Sequence, residues 1–185
     1  MSETIERHFS TAELEARLED VRAAPADAGR LELVVRRPVE GEREELDAGE
    51  LDVVEGLVGD RWSRGKRGRR PDPATQLTLM SARAAQLVAG SRERWALAGD
   101  QLYVDIDLSE ANLPPGSRLA IGGAVVELSA EPHTGCKKFV QRFGLEAMLF
   151  VNAPEGRALR LRGANARVVE PGLVRPGDEV RKLGG

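Results

Sequence analysis

The chain has 185 residues, of which 41% are apolar and 31% charged, and its formal net charge is −3. That length argues for one domain with a core large enough to dispense with metals and disulfides. The single cysteine, Cys136, excludes a disulfide framework or a multi-cysteine zinc site within one chain, and 4% aromatic content argues against a base-stacking surface for single-stranded nucleic acid.

The amino-terminal MSETIERHFS is polar and lacks the apolar stretch of a secretory signal. No apolar run reaches the roughly 18 residues of a membrane helix. A cytoplasmic protein with no membrane partner is expected. Ser10 and Glu13 form an S-x-x-E capping box, with Phe9 and Leu14 at the staple positions. Leu14, Leu18 and Val21 follow at helical spacing, and Pro25 and Gly29 stop the helix. The pattern predicts a helical extension over 1–29, packed on a domain that occupies 30–185.

From residue 30 the period shortens. LELVVRR (31–37) predicts a strand stopped by Pro38, and ELDVVEGLVGDRW (50–62) a second that breaks at Gly56 and Gly59. RWSRGKRGRR (61–70) holds six basic side chains and no acidic one, whereas residues 1–60 carry a net charge of −10. The block reads as a solvated loop, as an anion-binding element or, least favoured, as a nucleic-acid contact. QLTLM (76–80) predicts a third strand. Ser81 caps an Ala-rich helix that ends at Gly90. QLYVDIDL (101–108) alternates as a strand. A Pro114-Pro115-Gly116 turn then leads into RLAI, a two-residue Gly122-Gly123 turn and the returning AVVELSA, a hairpin. CKKFVQRFG predicts a short helix closed by Gly144, and LEAMLFVNA another. RALRLR, ARVVEPG and DEVRKL predict three short strands, with Pro-Gly turns at 171–172 and 176–177. Many short strands without long crossover helices predict a mainly β fold with peripheral helices, a closed or semi-closed β-barrel.

Chemistry concentrates around Cys136. It follows Pro132-His133-Thr134-Gly135 and opens a predicted helix beside Lys137 and Lys138, with Arg142 a turn later. A thiol at a helix start among cations has a lowered pKa, and the thiolate is both nucleophile and soft-metal ligand. Gly135 leaves room for a ligand to approach. A lone cysteine is more often a buried structural residue, but Gly, Lys and His are not core neighbours. His133 pairs with Cys136 as nucleophile and base, as a second metal ligand, or as a loop residue that shapes the site. Gly59-Asp60-Arg61-Trp62 suits a polar anionic heterocycle or a plain strand-end turn. The nucleotide P-loop, the dinucleotide glycine motif, H-E-x-x-H and G-x-S-x-G are all missing from the sequence.

Taken in order, GLVGDRW (56–62), QLTLMSARAAQLVAG (76–90), the long 98–144 segment ending in EPHTGCKKFVQRFG, and RLRGANARVVEPGLVRPGDEVRKL (160–183) resemble the MOSC family. This is the domain found at the carboxyl terminus of molybdenum cofactor sulfurases, and the likeness is to its small stand-alone bacterial members. The resemblance implies a β-rich barrel and a single hallmark cysteine, matched at Cys136, that ligates molybdenum. It implies a molybdenum cofactor (molybdopterin) and reduction of N-hydroxylated or N-oxygenated small molecules. On that reading Cys136, His133 and Asp60 are the catalytic candidates. Arg61, Thr134, Gly135, Lys137, Lys138 and Arg142 are the cofactor-binding candidates. The alternative within the family is a non-catalytic module, a sulfur carrier using a Cys136 persulfide or a cofactor-delivery protein. The sequence has His-Thr-Gly before the cysteine where some members have Pro. It shows no aminotransferase-like region, so pyridoxal phosphate is not expected, and no ferredoxin-like cysteine cluster, so catalysis would draw electrons from a separate protein.

Overall fold

A computed structural model describes residues 7–65 and 69–184. The amino-terminal segment forms two short helices, α1 (Thr11–Glu15) and α2 (Leu18–Arg22), where a single helix was expected; the chain turns at Ala16 and Arg17. The capping box forms as read. Ser10 Oγ accepts the Glu13 N–H at 3.3 Å, and Glu13 Oε2 accepts the Ser10 N–H at 2.9 Å.

The strands follow in turn. β1 (Ala28–Arg36) is the longest, and β2 (Glu44–Glu45) pairs with its end. β3 (Gly49–Asp52) and β4 (Gly56–Leu57) make a small hairpin where one broken strand was expected. Its turn is set by Asp52, whose Oδ1 accepts the N–H groups of Val54 and Glu55. β5 (Leu77–Ser81) runs straight into α3 (Ala82–Ala89), capped by Ser81 and closed by left-handed Gly90. A 3-10 helix over Arg92–Ala98, absent from the sequence reading, precedes β6 (Leu102–Asp105). β7 (Arg118–Ile121) and β8 (Ala124–Leu128) form the expected hairpin, with Ile121 opposite Ala124 across Gly122-Gly123. α4 (Lys137–Phe143), α5 (Leu145–Asn152) and α6 (Pro154–Ala158) come next, then β9 (Ala164–Glu170), β10 (Gly172–Val174) and β11 (Glu179–Lys182).

Among the described residues, seven strands close a barrel in the ring order β1, β6, β5, β9, β8, β7, β11 and back to β1. All these pairs are antiparallel except β5 with β6. β10, β3 and β4 form a second, three-stranded sheet. The barrel interior holds Leu31, Val34, Leu77, Leu79, Leu102, Val104, Val126 and Val180. A second core lies outside the wall, where α1, α2, α3, α4 and α5 bring Leu14, Leu18, Val88 and Phe143 against Leu33, Val35, Met80 and Tyr103. β1 serves both cores. Simple alternation would put Leu31 and Leu33 on one face. The register shift between them resets the parity, so Leu31 and Val34 face the barrel while Leu33 and Val35 face the helices.

The segment RALRLR departs from its expected strand. Pro154 at the helix start commits 154–158 to α6, and Arg160 takes a left-handed φ of 48° to turn the chain out of it. Leu161 then donates its N–H to Gly156 O, and its side chain enters the helical core. No helix among the described residues is long and apolar enough to cross a membrane.

Candidate functional site

Cys136 is exposed and occupies the cap position of α4 in extended backbone. The loop before it is clamped to α5. Asn152 Oδ1 accepts the Gly135 N–H at 2.9 Å, and Asn152 Nδ2 donates to Gly135 O at 3.2 Å. A Cβ on Gly135 would lie 3.1 Å from Met148 Cγ, so the glycine lets the loop press against α5. Burial pushes the Cys136 thiol up, but the N–H groups of Phe139 and Lys138 and the charges of Arg162 and Arg142 outweigh it, and its pKa is lowered.

The thiol opens onto a cleft of about 130 Å³ lined by Arg37, Arg43, Arg61, Lys138, Arg142 and Arg162. These side chains come from distant parts of the chain, and one short element orients half of them. The 3-10 helix over Arg92–Ala98 ends in carbonyls with no helical partner. Leu97 O accepts Arg142 Nη1 at 2.7 Å, Ala98 O accepts Arg162 Nη2 at 3.0 Å, and Gly99 O accepts Arg37 Nη1 at 2.9 Å. Three consecutive carbonyls therefore aim three guanidinium groups into one cleft. A carbonyl fixes a guanidinium without neutralising it.

Three of the six cations have carboxylate partners: Arg37 with Asp60, Arg162 with Asp100, and Lys138 with Glu40. Among the described residues no carboxylate pairs with Arg43, Arg61 or Arg142. Burial and the charges of their arginine neighbours lower the pKa of Arg43 and Arg142, although the Cys136 thiolate supports Arg142. Arginine stays protonated in proteins, so the cleft holds excess positive charge. Arg43 Nε is buried without a partner. Gly99 has a left-handed φ of 88°, and a Cβ there would be in ordinary contact with Arg142 Nη1 at 3.5 Å and Arg43 Nη2 at 3.7 Å, so both guanidinium groups lie beside it. A cationic pocket beside a thiolate is suited to an anionic ligand and a soft metal.

Of the residues read from the sequence, Cys136, Arg61, Lys138 and Arg142 meet in this cleft. Lys137 is exposed and does not line it. Asp60 lies behind the cleft, 1% exposed. Its Oδ1 accepts Arg37 Nη2 at 2.8 Å and the Trp62 N–H at 3.0 Å, and its Oδ2 accepts the Arg37 backbone N–H and Nε, each at 2.9 Å. Burial would raise this carboxyl, but the Arg37 pair and the Trp62 N–H lower it. Asp60 thus holds Arg37 and caps the 3-10 helix Arg61–Arg64 that carries Arg61. In the remainder of the basic block, Arg64 Nη1 donates to Pro38 O, and Arg69 and Arg70 are exposed. Lys66 and Arg67 lie outside the described residues.

His133 and Thr134 line a different cleft, of about 210 Å³, on the other side of the loop. His133 Nε2 is 2.9 Å from Oδ1 of Asp100, and Arg162 Nη1 is 2.6 Å from Oδ2. Asp100 is wholly buried, which would raise its pKa, yet the charges of Arg162 and His133 bring it down to about 2. Arg162 lines both clefts. Among the described residues, no group of three or more His, Cys, Asp or Glu is placed to hold a metal ion.

Sequence reasoning missed Arg37, Arg43, Asp100, Asn152 and Arg162. One signal was available. Gly99-Asp100 repeats Gly59-Asp60: in each, a left-handed glycine precedes a buried aspartate that pins an arginine of the cleft.

Comparison with known proteins adds the following. A family model described as MOSC domain matches residues 76–181. A search of the curated proteins finds no match. Among solved structures, the YuaD protein from Bacillus subtilis is similar with a TM-score of 0.58 at 18% identity, covering 83% of this chain and 94% of that one. YiiM from Escherichia coli gives a TM-score of 0.54 at 21% identity, covering 84% and 70%. A hypothetical protein gives 0.60 at 20% identity, covering 90% and 72%. At these identities the structures bear on the fold alone.

Proposed function

The chain belongs to the MOSC domain family, a family associated with the molybdenum cofactor, and from that premise we propose that its arginine-lined cleft binds a molybdopterin-type cofactor. The supporting observation is the cleft itself, where among the described residues Arg43, Arg61 and Arg142 have no carboxylate partner and Cys136 stands at the edge with a lowered pKa. The three arginines would hold the anionic phosphate of the cofactor, Lys138 and Arg37 would flank it, and the Cys136 thiolate would be the protein ligand to molybdenum. Bound there, the cofactor supplies two-electron redox chemistry.

We further propose that the protein is an oxidoreductase that reduces N-hydroxylated or N-oxygenated small molecules. In that reaction the N–O bond takes up two electrons and two protons, and the oxygen leaves as water. The electrons would come from a separate donor protein. The arginines orient the bound group, while Asp60 and Asn152 act through Arg37 and the Cys136 loop as positioning residues. His133, held by Asp100 on the other side of the Cys136 loop, is proposed to serve the substrate side. The exposure of Cys136 favours a second reading, sulfur carriage or cofactor delivery, in which a reachable thiol matters more than a closed pocket.

The test is reduction of an N-hydroxylated base by cofactor-loaded protein with a chemical electron donor. Wild type should consume donor in proportion to amine formed, and Cys136→Ser should not. Loaded protein that consumes no donor with N-oxygenated compounds would remove the reductase reading and leave delivery.

A further inference from the structure

The cleft on the far side of the Cys136 loop, about 210 Å³, has a chemistry of its own. Asp100 is ionised at neutral pH and can only accept, so His133 Nε2 carries the proton that it donates across 2.9 Å. Nδ1 is then the free ring nitrogen, with no protein partner among the described residues, on a ring that lines the cleft. Arg162 lines the same cleft and is only 7% exposed. Its Nη1 and Nη2 are engaged by Asp100 and Ala98, while its Nε is buried and unpaired. Arg160 is half-buried, and its Nη1 donates to Leu108 O at 3.0 Å and Leu113 O at 2.6 Å. No ion pair to a carboxylate is formed by it among the described residues, although the charge of Glu110 supports it, and its backbone holds the left-handed φ of 48° noted above. The carboxylates that line the cleft, Glu110 and Glu131, are both exposed, as is Arg157. The shielded charges facing the cleft are therefore cationic.

We propose that this cleft is a second ligand site, for a small oxyanion such as a carboxylate or phosphate, with Arg160 and Arg162 supplying the positive charge and the His133 ring forming part of its wall. A volume of about 210 Å³ accommodates a group of a few heavy atoms. Arg162 reaches both clefts, so an anion here would act on a residue of the Cys136 cleft. The proposal stands without the cofactor reading, because it uses neither Cys136 nor the unpaired arginines of the first cleft.

The chain contains two histidines, His8 and His133, so ring resonances report the site with an internal control. His8 is exposed and packs beside Gly144. Cofactor-free full-length protein is titrated separately with inorganic phosphate and with acetate at fixed ionic strength and pH. His133 should shift saturably at millimolar concentrations of at least one anion while His8 stays still, and the tighter of the two names the ligand source. Ala130→Trp fills the cleft from an exposed position and should abolish the shift in a folded protein; Arg160→Gln should weaken it several-fold. Absence of a saturable His133 shift, parallel movement of His8, or a shift that survives Ala130→Trp would overturn the proposal. A shift lost in Arg43→Gln/Arg61→Gln but kept in Ala130→Trp would assign the anion to the Cys136 cleft, which overturns this site and leaves the cofactor proposal standing.

Discussion

At the scale of single residues, the candidate site is a problem of charge. Arg43, Arg61 and Arg142 are held near one another with no carboxylate among the described residues to offset them, a costly arrangement unless an anion completes it. The Cys136 thiolate is a partial answer, and it favours Arg142 as Arg142 favours it. The direction follows. A thiol whose anion is stabilised titrates at lower pH than an ordinary one, so alkylation of cofactor-free protein by iodoacetamide should be half-maximal below the reference of about 8.5. Arg142→Gln should move that midpoint upward. A midpoint at or above the reference in the wild type would mean that burial, not the surrounding cations, governs Cys136. Cys136, Lys138 and Arg142 were legible in the sequence because a helix start and its first turns are local. Arg37 and Arg162 were not, because their meeting depends on carbonyls at residues 98–99, far from each of them in the chain.

At the scale of elements, the loop that presents Cys136 has no regular structure of its own and borrows rigidity from α5. Both backbone hydrogen-bonding groups of Gly135 are satisfied by one side chain, Asn152. Asn165 Nδ2 supports the same loop through Glu131 O at 3.1 Å and Pro132 O at 3.3 Å. Asn152→Ala removes both hydrogen bonds to Gly135 and leaves its half-buried N–H without that partner, which costs about 1–3 kcal/mol. Denaturant unfolding should register that loss, and amide exchange at Gly135 and Cys136 should accelerate while the barrel strands are unaffected. Unchanged exchange at Gly135 would show that the loop is held by something else. The elements most legible in the sequence carry local punctuation: the Ser10 and Ser81 caps, Gly90, and the Gly122-Gly123 turn. RALRLR was misread because its alternation of Leu and Arg satisfies a strand period, while the helix start set by Pro154 overrides it. The Arg92–Ala98 helix carries no side-chain cap, and that is the physical reason it left no mark in the pattern.

At the scale of the molecule, the barrel and the helical layer divide the work. The closed ring of seven strands leaves no free edge within it and fixes the end of β1 that carries Arg37 and the start of β6 beside Asp100. The helical layer packs on the outer face of that wall and supplies Phe139, Phe143, Arg142 and the Cys136 loop. The cleft lies between these layers, so each contributes cations that the other does not neutralise. The mainly β barrel was legible because many short strands with glycine and proline turns allow few other closures. The bulge that lets β1 serve two cores was not, since nothing local separates Leu31 and Leu33. The central claim is that this junction is a cofactor site built on one thiolate and three unpaired arginines. Its most direct test is the molybdenum and pterin content of protein purified from a host that makes the cofactor. Wild type should carry both in comparable amounts. Cys136→Ser should lose molybdenum retention while remaining folded, and Arg43→Gln/Arg61→Gln/Arg142→Gln should lose pterin as well. Wild-type protein that carries neither metal nor pterin, or variants that carry as much as wild type, would contradict it.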